Sequence, residues 1–342
     1  MATIKDVAQL SGVSISTVSR TLSGSVPVQE ETRQRVFHAI KELNYQPNAV
    51  ARGLKVGRSQ TIGLMIPNFR SLVFPAAIKG ITDTLDFYGF NLILCDTEES
   101  TDREKHLIEN LQSRMVDGLI CSTATEKSRH IPELKEAGFP LVLLLRHMND
   151  MVDAVIADNF QGGFKGGDYL LKKGFRRIAL INGPLHLDIY RQRYNGFVEA
   201  FGAHSRPVDK HLVSHGNRGW EGGYRAMQEL LEGVPLSAPE AVFATSDPKA
   251  FGAMKAIHER GLKIPEDISV IGYDNLETSQ LMLPPLTTIA QPFYEMGKLA
   301  AKKIIELIEA TADDNAAKKP VVDKLPVELI ERDSVCLTHV SG

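Results

Sequence analysis

The residue types that most often carry out catalysis are present in this chain of 342 residues, but their spacing forms no catalytic motif. None of the ten histidines belongs to a His-Glu-x-x-His pair, which would bind zinc from one face of a helix. No Gly-x-Ser-x-Gly sequence occurs, so the sharp turn that presents a nucleophilic serine in α/β-hydrolases is not predicted. We therefore expect a protein that is not an enzyme and that needs no cofactor.

The cysteines and the apolar runs indicate where the protein works. Cys95, Cys121 and Cys336 are far apart and lack metal-ligand spacing, and an odd number argues against a disulfide framework. No apolar run approaches the roughly 20 residues that span a membrane. The N-terminus lacks the charged-then-apolar pattern of a secretory signal. We expect a cytoplasmic protein without a metal site and without membrane contact.

Charge is divided unevenly along the chain. Residues 1–58 carry eight lysines and arginines against four aspartates and glutamates, a net charge of +4, whereas the remainder carries 31 against 38, a net charge of −7. A small basic head on an acidic body is typical of a nucleic-acid-binding module joined to a domain of another kind. The length predicts two or three folding units.

The basic head has the pattern of three short helices. Thr3 and Asp6 form a variant of the capping box at the start of the first helix, and Ser14 can cap the second. The outward or flanking positions of the second helix are Ile15, Ser16, Thr17, Ser19 and Arg20. A third helix is predicted from about Glu30 to Leu43. Two short helices across a glycine-containing turn, backed by a third, indicate a helix-turn-helix; a helical hairpin without special function is the alternative.

Two segments of the chain carry a resemblance to a known family. TIKDVAQLSGVSISTVSRTLSG, from Thr3, and VQEETRQRVFHAIKELNYQPNAVARGLKVGRSQTIGLMIP, from Val28, resemble the headpiece and hinge of the LacI-type transcription regulators, which include lactose, purine and galactose repressors. The resemblance implies an all-α helix-turn-helix domain over residues 1–46, a hinge and linker over 47–58, and an effector-binding and dimerisation core over 59–342.

The resemblance assigns DNA contacts to the headpiece, because the second helix of this family enters the major groove. Arg20 would donate two hydrogen bonds to guanine, a contact worth about 1–3 kcal/mol of discrimination; the alternative is a solvated surface arginine. Ile15 would pack against a thymine methyl group, and Ser16 would bond a base edge or a phosphate. Contacts to the DNA backbone, which fix register without reading sequence, are expected from Thr17, Ser19, Thr32 and Arg33.

The hinge is expected to fold only on DNA. Residues 48–56 are too few for a stable isolated helix, and Gly53 weakens it further. In the paired hinges of a dimer, Leu54 would enter the minor groove and kink the central base step. Asn48, Arg52 and Lys55 would hold the DNA backbone nearby.

From residue 61 onward, short apolar runs alternate with amphipathic stretches, which predicts parallel sheets covered by helices on both faces. The candidate strands are Ile62–Ile66, Leu92–Cys95, Gly118–Cys121, Leu141–Leu145, Val155–Ala157, Ile178–Ile181, Ala241–Ala244 and Val270–Tyr273. The resemblance implies an α/β core of the type I periplasmic-binding-protein fold, with two doubly wound parallel-sheet lobes and the ligand between them. The N-lobe would comprise about 59–159 plus 291–320, and the C-lobe about 160–288 plus 322–342.

The glycine-rich segment 162–167 matches neither a G-x-G-x-x-G following a strand nor a P-loop with its Lys-Ser/Thr. The resemblance places this segment at the start of a helix, where we expect its glycines to permit close packing.

The resemblance also assigns residues to the cleft. Phe74 takes the position of an aromatic residue that stacks on the ligand, and Arg193 that of an arginine that bonds effector oxygens. Asp274 would hold sugar hydroxyls or purine nitrogens. The remaining contacts that it implies are Ser246, Asp247 and Gln291.

Three further arginines depart from the family pattern. Arg146 stands where an aspartate is frequent, Arg218 where an aromatic often closes the pocket, and Arg191 two residues before Arg193. If three or more of the four arginines line the cleft, a sugar acid or a phosphorylated sugar is favoured, because guanidinium groups grip carboxylates and phosphates bidentately. In the alternative, these three lie at the rim in solvent, or paired with Asp150, Asp153 and Asp188.

The resemblance therefore implies a homodimeric regulator, usually a repressor, that binds double-stranded, near-palindromic operator DNA and responds to a small-molecule effector. The alternative of a solute- or sugar-binding protein without a regulatory role is opposed by the headpiece and by the missing signal. An enzyme on an α/β scaffold is opposed by the missing motifs. The short, polar segment Ala310–Lys319, with no heptads after it, favours a dimer over a tetramer.

Overall fold

The chain folds into two units of different secondary structure. The computed structural model describes residues 2–23, 26–46, 58–148, 151–232, 238–310 and 319–337. One compact unit is Met1–Gln60 and the other is Thr61–Gly342. The four predicted hinge contacts, Asn48, Arg52, Leu54 and Lys55, lie outside the described residues. In the described ranges, no helix has both the length and the apolar character needed to cross a bilayer.

The first unit contains α1 (Ile4–Ser11), α2 (Ile15–Ser23) and α3 (Glu30–Glu42). The predicted capping box is present, since the Thr3 amide donates to Asp6 Oδ2 at 2.7 Å and the Asp6 amide donates to Thr3 Oγ1 at 3.4 Å. Gly12 ends α1 in the left-handed conformation, with φ +64°. The helices enclose a small core of Val7, Ala8, Val18, Val36 and Ala39.

The N-lobe of the second unit is built on a six-stranded parallel sheet in the order β11-β5-β4-β3-β1-β2. Its strands are β1 (Thr61–Ile66), β2 (Asn91–Asp96), β3 (Gly118–Cys121), β4 (Leu141–Leu144), β5 (Ala154–Ala157) and β11 (Val322–Leu325). Its helices are α4 (Phe74–Tyr88), α5 (Thr101–Ser113), α6 (His130–Glu136) and α11 (Phe293–Glu309). Neighbouring strand residues such as Leu64 and Met65 belong to different hydrophobic clusters, so helices cover both faces of the sheet.

The C-lobe contains a second sheet, in the order β12-β10-β9-β8-β6-β7, in which only β12 runs antiparallel to its neighbour. Its strands are β6 (Ile178–Ile181), β7 (Val213–Ser214), β8 (Ala241–Ala244), β9 (Ser269–Asp274), β10 (Thr287–Ala290) and β12 (Glu328–Ile330). Its helices are α7 (Asn159–Lys172), α8 (Asp188–Ala203), α9 (Gly219–Glu232) and α10 (Asp247–Glu259).

All eight strands predicted from apolar runs are present, and the two-lobed α/β fold with a helical headpiece is confirmed. One boundary differs. Because β11 pairs with β5, the chain leaves the N-lobe only after Leu325, whereas the resemblance placed the return to the C-lobe at about residue 322. The sequence of β11, Val-Asp-Lys-Leu, is half-polar because the strand lies at a sheet edge, and it therefore gave no strand signal.

Candidate functional site

The side of α2 that is predicted to read DNA faces solvent in the first unit. Ile15 is 44% exposed, Ser16 and Arg20 are exposed, and Thr17 and Ser19 are half-buried. The Thr17 amide donates to Ser14 Oγ at 3.1 Å, so Ser14 caps α2 as expected. With Val18 turned into the core, the base-reading candidates project away from it.

The two predicted contacts on α3 lie in its first turn. Thr32 is half-buried, and Arg33 is exposed with its Nε donating to Glu30 Oε2 at 2.8 Å. Gln29 makes no side-chain cap bond, in keeping with the absence of a serine-like cap at that position. The Arg33–Glu30 pair is open to solvent, so competing anions can screen it.

In the second unit, the cleft is built around the buried cation Arg193, which is 4% exposed. Its Nε donates to Asn159 Oδ1 at 2.9 Å and its Nη1 donates to the Thr245 carbonyl at 2.6 Å. The guanidinium carbon lies 3.6 Å from the centre of the Tyr273 ring. Asp274 Oδ1 is 3.9 Å from Nη1, so the sequence-predicted arginine and carboxylate come together.

Glycines set the position of Arg193 by letting α7 and α8 touch. A Cβ atom added at Gly163 would lie 2.7 Å from the Arg193 carbonyl carbon, and one at Gly196 would lie 2.7 Å from the Phe164 amide nitrogen. No side chain fits between the two backbones at these points. The prediction that the glycines of segment 162–167 serve close packing is confirmed.

Asp274 ends β9 as a buried carboxylate in a strained backbone. It is 3% exposed, its φ is +124°, and Gln291 Nε2 donates to its Oδ1 at 2.7 Å. Burial raises the pKa of Asp274 to about 7, and the nearby charge of Arg193 opposes that rise. Gln291 stands where the chain crosses from the C-lobe to α11 of the N-lobe, so this hydrogen bond ties the crossover to the cleft.

Asp247, a predicted ligand contact, is held by hydrogen bonds inside the C-lobe. Its Oδ2 accepts hydrogen bonds from the Leu276 amide at 2.8 Å and from Ser279 Oγ at 2.6 Å. Its Oδ1 accepts one from Thr288 Oγ1 at 2.6 Å. These bonds fix the loop that follows Asp274, and they leave the fully buried Asp247 engaged inside the C-lobe.

Arg146 comes from the N-lobe, two residues after β4. Its Nε donates to the Ser122 carbonyl at 3.1 Å, whereas its buried Nη1 has no hydrogen-bond partner among the residues that the structure describes. Burial lowers the pKa of this guanidinium, and the positive charge of Arg193 contributes to the lowering, which places the two arginines within electrostatic range across the cleft. An unpaired buried guanidinium nitrogen is costly, and a ligand oxygen would relieve that cost.

Arg191 and Arg218 lie at the rim, as the alternative expectation held. Arg191 Nη2 is 2.8 Å from Asp188 Oδ1, and its Nη1 is 3.6 Å from Glu126 Oε1 of the N-lobe. Arg218, 50% exposed, forms an ion pair with Glu99, also of the N-lobe. Arg193 is therefore buried, Arg146 is half-buried with its Nη1 enclosed, and Arg191 and Arg218 bridge the lobes in solvent, so the four arginines alone do not meet the condition of three or more in the cleft that was set for an anionic effector.

A third buried cation, Lys249, was missed by sequence reasoning. It is 1% exposed and lies in the first turn of α10, where its Nζ donates to Ser246 Oγ at 3.0 Å and to Tyr190 Oη at 3.4 Å. A signal was available, since Lys249 shares one face of its helix with the small residues Ala253 and Ala256, both buried. An isolated lysine on such a face is a candidate for a buried functional charge.

A cavity of about 160 Å³ lies between the lobes. Arg146 and Thr125 line it from the N-lobe, and Asp188 and Arg191 line it from the C-lobe, whereas the buried group around Arg193 does not line it. Phe74, the predicted stacking residue, begins α4 and is 4% exposed within the hydrophobic core. The described residues contain no group of three or more His, Cys, Asp or Glu side chains arranged to hold a metal ion.

The chain matches two protein families along its length. Residues 3–48 match the bacterial regulatory proteins of the lacI family, and residues 168–335 match a periplasmic-binding-protein-like domain. The HTH-type transcriptional repressor PurR of Mannheimia succiniciproducens is 36% identical over 339 residues, covering 98% of this chain and 99% of that protein. PurR of Proteus mirabilis is also 36% identical, covering 98% and 97%.

Solved structures agree with these matches. The lac repressor dimer bound to operator and the anti-inducer ONPF has a TM-score of 0.86 at 28% identity, covering 98% of this chain and 99% of that one. A complex of the transcriptional regulator CelR with cellobiose has a TM-score of 0.74 at 31% identity, covering 98% and 100%.

Proposed function

The chain belongs to the lacI family of bacterial regulatory proteins. We propose that it represses transcription from a near-palindromic operator, and that binding of an anionic effector lowers or raises its affinity for that DNA. It is a DNA-binding regulator, as its repressor relatives are. For the effector we propose a sugar acid or a phosphorylated sugar held between the two lobes.

The observation that carries the effector class is the state of Arg146. Its Nη1 is buried without a partner, beside a second buried guanidinium, that of Arg193. Arg193 has Asp274 as a counter-charge at 3.9 Å, whereas Arg146 forms no ion pair within 4.0 Å among the described residues, donates to the Ser122 carbonyl and meets the charge of Glu104 only at longer range. A carboxylate or phosphate oxygen would give Arg146 both a hydrogen bond and a counter-charge, which a neutral sugar or purine cannot do.

On the DNA side, we propose that α2 lies in the major groove with Arg20 on a guanine, Ile15 on a thymine methyl group and Ser16 on a base edge or phosphate. The exposure of these three side chains supports the assignment. Thr17, Ser19, Thr32 and Arg33 would contact phosphates. The hinge residues Asn48, Arg52, Leu54 and Lys55 would complete the interface in the minor groove.

We propose that two copies bind DNA together. Large apolar side chains of the second unit are open to solvent, with Phe87 84%, Leu281 72% and Leu283 93% exposed. Burying such a side chain contributes about 1.5–3 kcal/mol, which favours a partner surface over water. A two-fold axis would present two headpieces to two half-sites, and the operator would then be near-palindromic.

Selection from a random duplex library by the full-length protein at low salt tests the DNA assignment. We expect a two-fold symmetric consensus, and sedimentation equilibrium should give a dimer. Recovery of no enriched sequence, or of one without symmetry, would contradict the proposal.

A thermal-shift screen tests the effector assignment. Sugar acids and sugar phosphates should raise the melting temperature, whereas the corresponding neutral sugars and purines should not. The opposite ranking would rule out an anionic effector and leave the DNA assignment standing.

A further inference from the structure

We propose that Lys249, on the C-lobe wall, is a specificity-determining residue whose ammonium group binds the acidic group of the effector. This inference rests on the proposed function and deepens it, because it names the side chain that holds the anion from the C-lobe.

The first support is an uncompensated buried charge. Lys249 is 1% exposed, and in the described ranges no carboxylate oxygen lies within 4.0 Å of its Nζ. Its contacts are the neutral hydroxyls of Ser246 and Tyr190 and the face of the Tyr190 ring, whose centre is 4.4 Å away. A cation–π contact stabilises a buried ammonium less than its burial destabilises it. The fold therefore supplies part of the stabilisation, and a counter-ion would supply more.

The second support is the position of the side chain at the start of α10. This 13-residue helix begins at Asp247, and its N-cap residue Ser246 makes no side-chain cap hydrogen bond. The amide groups of a helix N-terminus carry a partial positive charge that favours anions. Ser246 Oγ instead accepts from Lys249 Nζ, so the serine and the ammonium are held together at this end of the helix.

The third support is the neighbourhood. Tyr190, which touches Lys249, lies 5.7 Å by its ring centre from the Arg193 guanidinium, so the two cations share one aromatic wall. Asp247 is bonded within the C-lobe, and Asp274 accepts from Gln291 beside Arg193. The charge of Lys249 helps to lower the pKa of Asp274 from a longer distance, but in the described ranges Lys249 has no carboxylate within ion-pair distance.

This arrangement predicts a division of labour within the cleft. Arg193, Asp274 and Gln291 present the mixed donors and acceptors that suit hydroxyl groups. Lys249 with Ser246 presents a point charge and a hydroxyl, which suits a carboxylate or phosphate oxygen. The acidic group of the effector would therefore face α10, and the neutral part would face the end of β9.

The test uses inorganic phosphate as the probe and the full-length protein in four forms: wild type, Lys249→Met, Lys249→Arg and Lys255→Met. Lys255 is the matched control because it lies on the same helix and is 51% exposed. At constant ionic strength, phosphate should raise the melting temperature of the wild type, Lys249→Arg and Lys255→Met. The Lys249→Met protein should lose that response, with its apparent Kd for phosphate weakened about tenfold or more.

The melting temperatures of the variants are also measured without phosphate, so that a loss of stability can be told apart from a loss of phosphate binding. If Lys249 carries an uncompensated charge, Lys249→Met should melt at or above the temperature of Lys255→Met. A clearly lower melting temperature would show that the fold itself needs the ammonium, and would overturn the proposal. An equal phosphate response in Lys249→Met and wild type, or no response in the wild type, would also overturn it.

Operator binding separates this inference from the function on which it rests. Each variant is titrated, without phosphate, against the duplex selected by the wild type. Binding by all four forms, together with failure of the phosphate test, would reject Lys249 alone. Failure of the wild type to select any duplex would reject the proposed function, and the phosphate result would still report on the charge at Lys249.

Discussion

The contact between α7 and α8 at Gly163 can be broken by one methyl group, and its cost follows from the geometry. The added Cβ would lie 2.7 Å from the carbonyl carbon and 2.9 Å from the Cα of Arg193, against a comfortable carbon–carbon separation of about 3.5–4.0 Å. The neighbour is backbone and cannot rotate away, so the two helices must separate by about 1 Å. We take the upper part of the usual overpacking cost, about 2–3 kcal/mol.

Alanine recovers about 1 kcal/mol of that cost, because it favours helix over glycine. The net destabilisation expected for Gly163→Ala is about 1–2 kcal/mol, which corresponds to a melting temperature lowered by roughly 3–6 °C in a domain of this size. The helix shift also moves the backbone that carries Arg193.

Gly202→Ala provides the control, because Gly202 lies on α8 and a Cβ there meets no atom within 4 Å. Its stability should be unchanged or higher by up to about 1 kcal/mol. Both variants are compared with the wild type by thermal and urea unfolding. If Gly163→Ala unfolds at the same midpoint as Gly202→Ala, the claim that backbone contact seats Arg193 is wrong.

Three further changes probe the cleft and the headpiece. Asp274 has a native pKa of about 7 against an ordinary value of 3.8, so the native state holds its proton more tightly than the unfolded state. Stability should therefore fall as pH rises from about 4 to 7, by at most about 4 kcal/mol, and Asp274→Asn should abolish that part of the fall in urea unfolding. Because both half-sites of the proposed dimer lose the contact, Arg20→Ala should weaken binding to the selected operator by about 30-fold or more, as measured by fluorescence anisotropy, and should change non-specific binding far less. Arg218→Gln and Glu99→Gln, in a double-mutant cycle of melting temperatures, should show a coupling of at most about 1 kcal/mol that vanishes at high salt, because both side chains are about half exposed.

A different outcome would contradict each of these three predictions. An identical pH profile for wild type and Asp274→Asn would show that Asp274 is ionised throughout, and that burial does not govern it. A uniform loss of affinity for all duplexes on Arg20→Ala would assign Arg20 to phosphate contact, not to base reading. A coupling for Arg218 and Glu99 well above 1 kcal/mol would show that the pair is shielded from water when the cleft closes.

The fold was largely readable because its central strands are buried on both faces. Runs such as Leu141–Leu144 and Ala241–Ala244 contain no residue that could face water, and such runs have few alternatives to a parallel sheet. Strands at the edge of a sheet are not required to be apolar throughout. The two-residue β7 and the half-polar β11 form because a neighbouring strand offers its free edge, which is a tertiary effect that the local sequence does not record.

The site residues could be predicted from the sequence where the family pattern assigns them. They could not be predicted where the position of a side chain depends on its rotamer and on ion-pair partners elsewhere in the chain. Arg193, Asp274 and Gln291 were predicted and lie together. Arg191 and Arg218 departed from the family pattern, and both pair with acids at the rim: Arg191 with Asp188, which the sequence analysis named, and with Glu126, and Arg218 with Glu99. The sequence alone could not supply Glu126 and Glu99, because these acids of the facing lobe are distant along the chain.

The charges of the cleft suggest why an anion, and not merely a ligand of suitable shape, would move the lobes. A ligand shifts an equilibrium between open and closed lobes only by the difference in its affinity for the two states. Closing the empty cleft would bring the N-lobe charge of Arg146 near the C-lobe charges of Arg193 and Lys249, and of these three cations only Arg193 has a described acid within 4.0 Å. A neutral ligand would leave that repulsion in place, whereas an anion would cancel it only in the closed state. Allosteric coupling of the usual size, about 1–3 kcal/mol, would then require no more than part of one buried charge interaction.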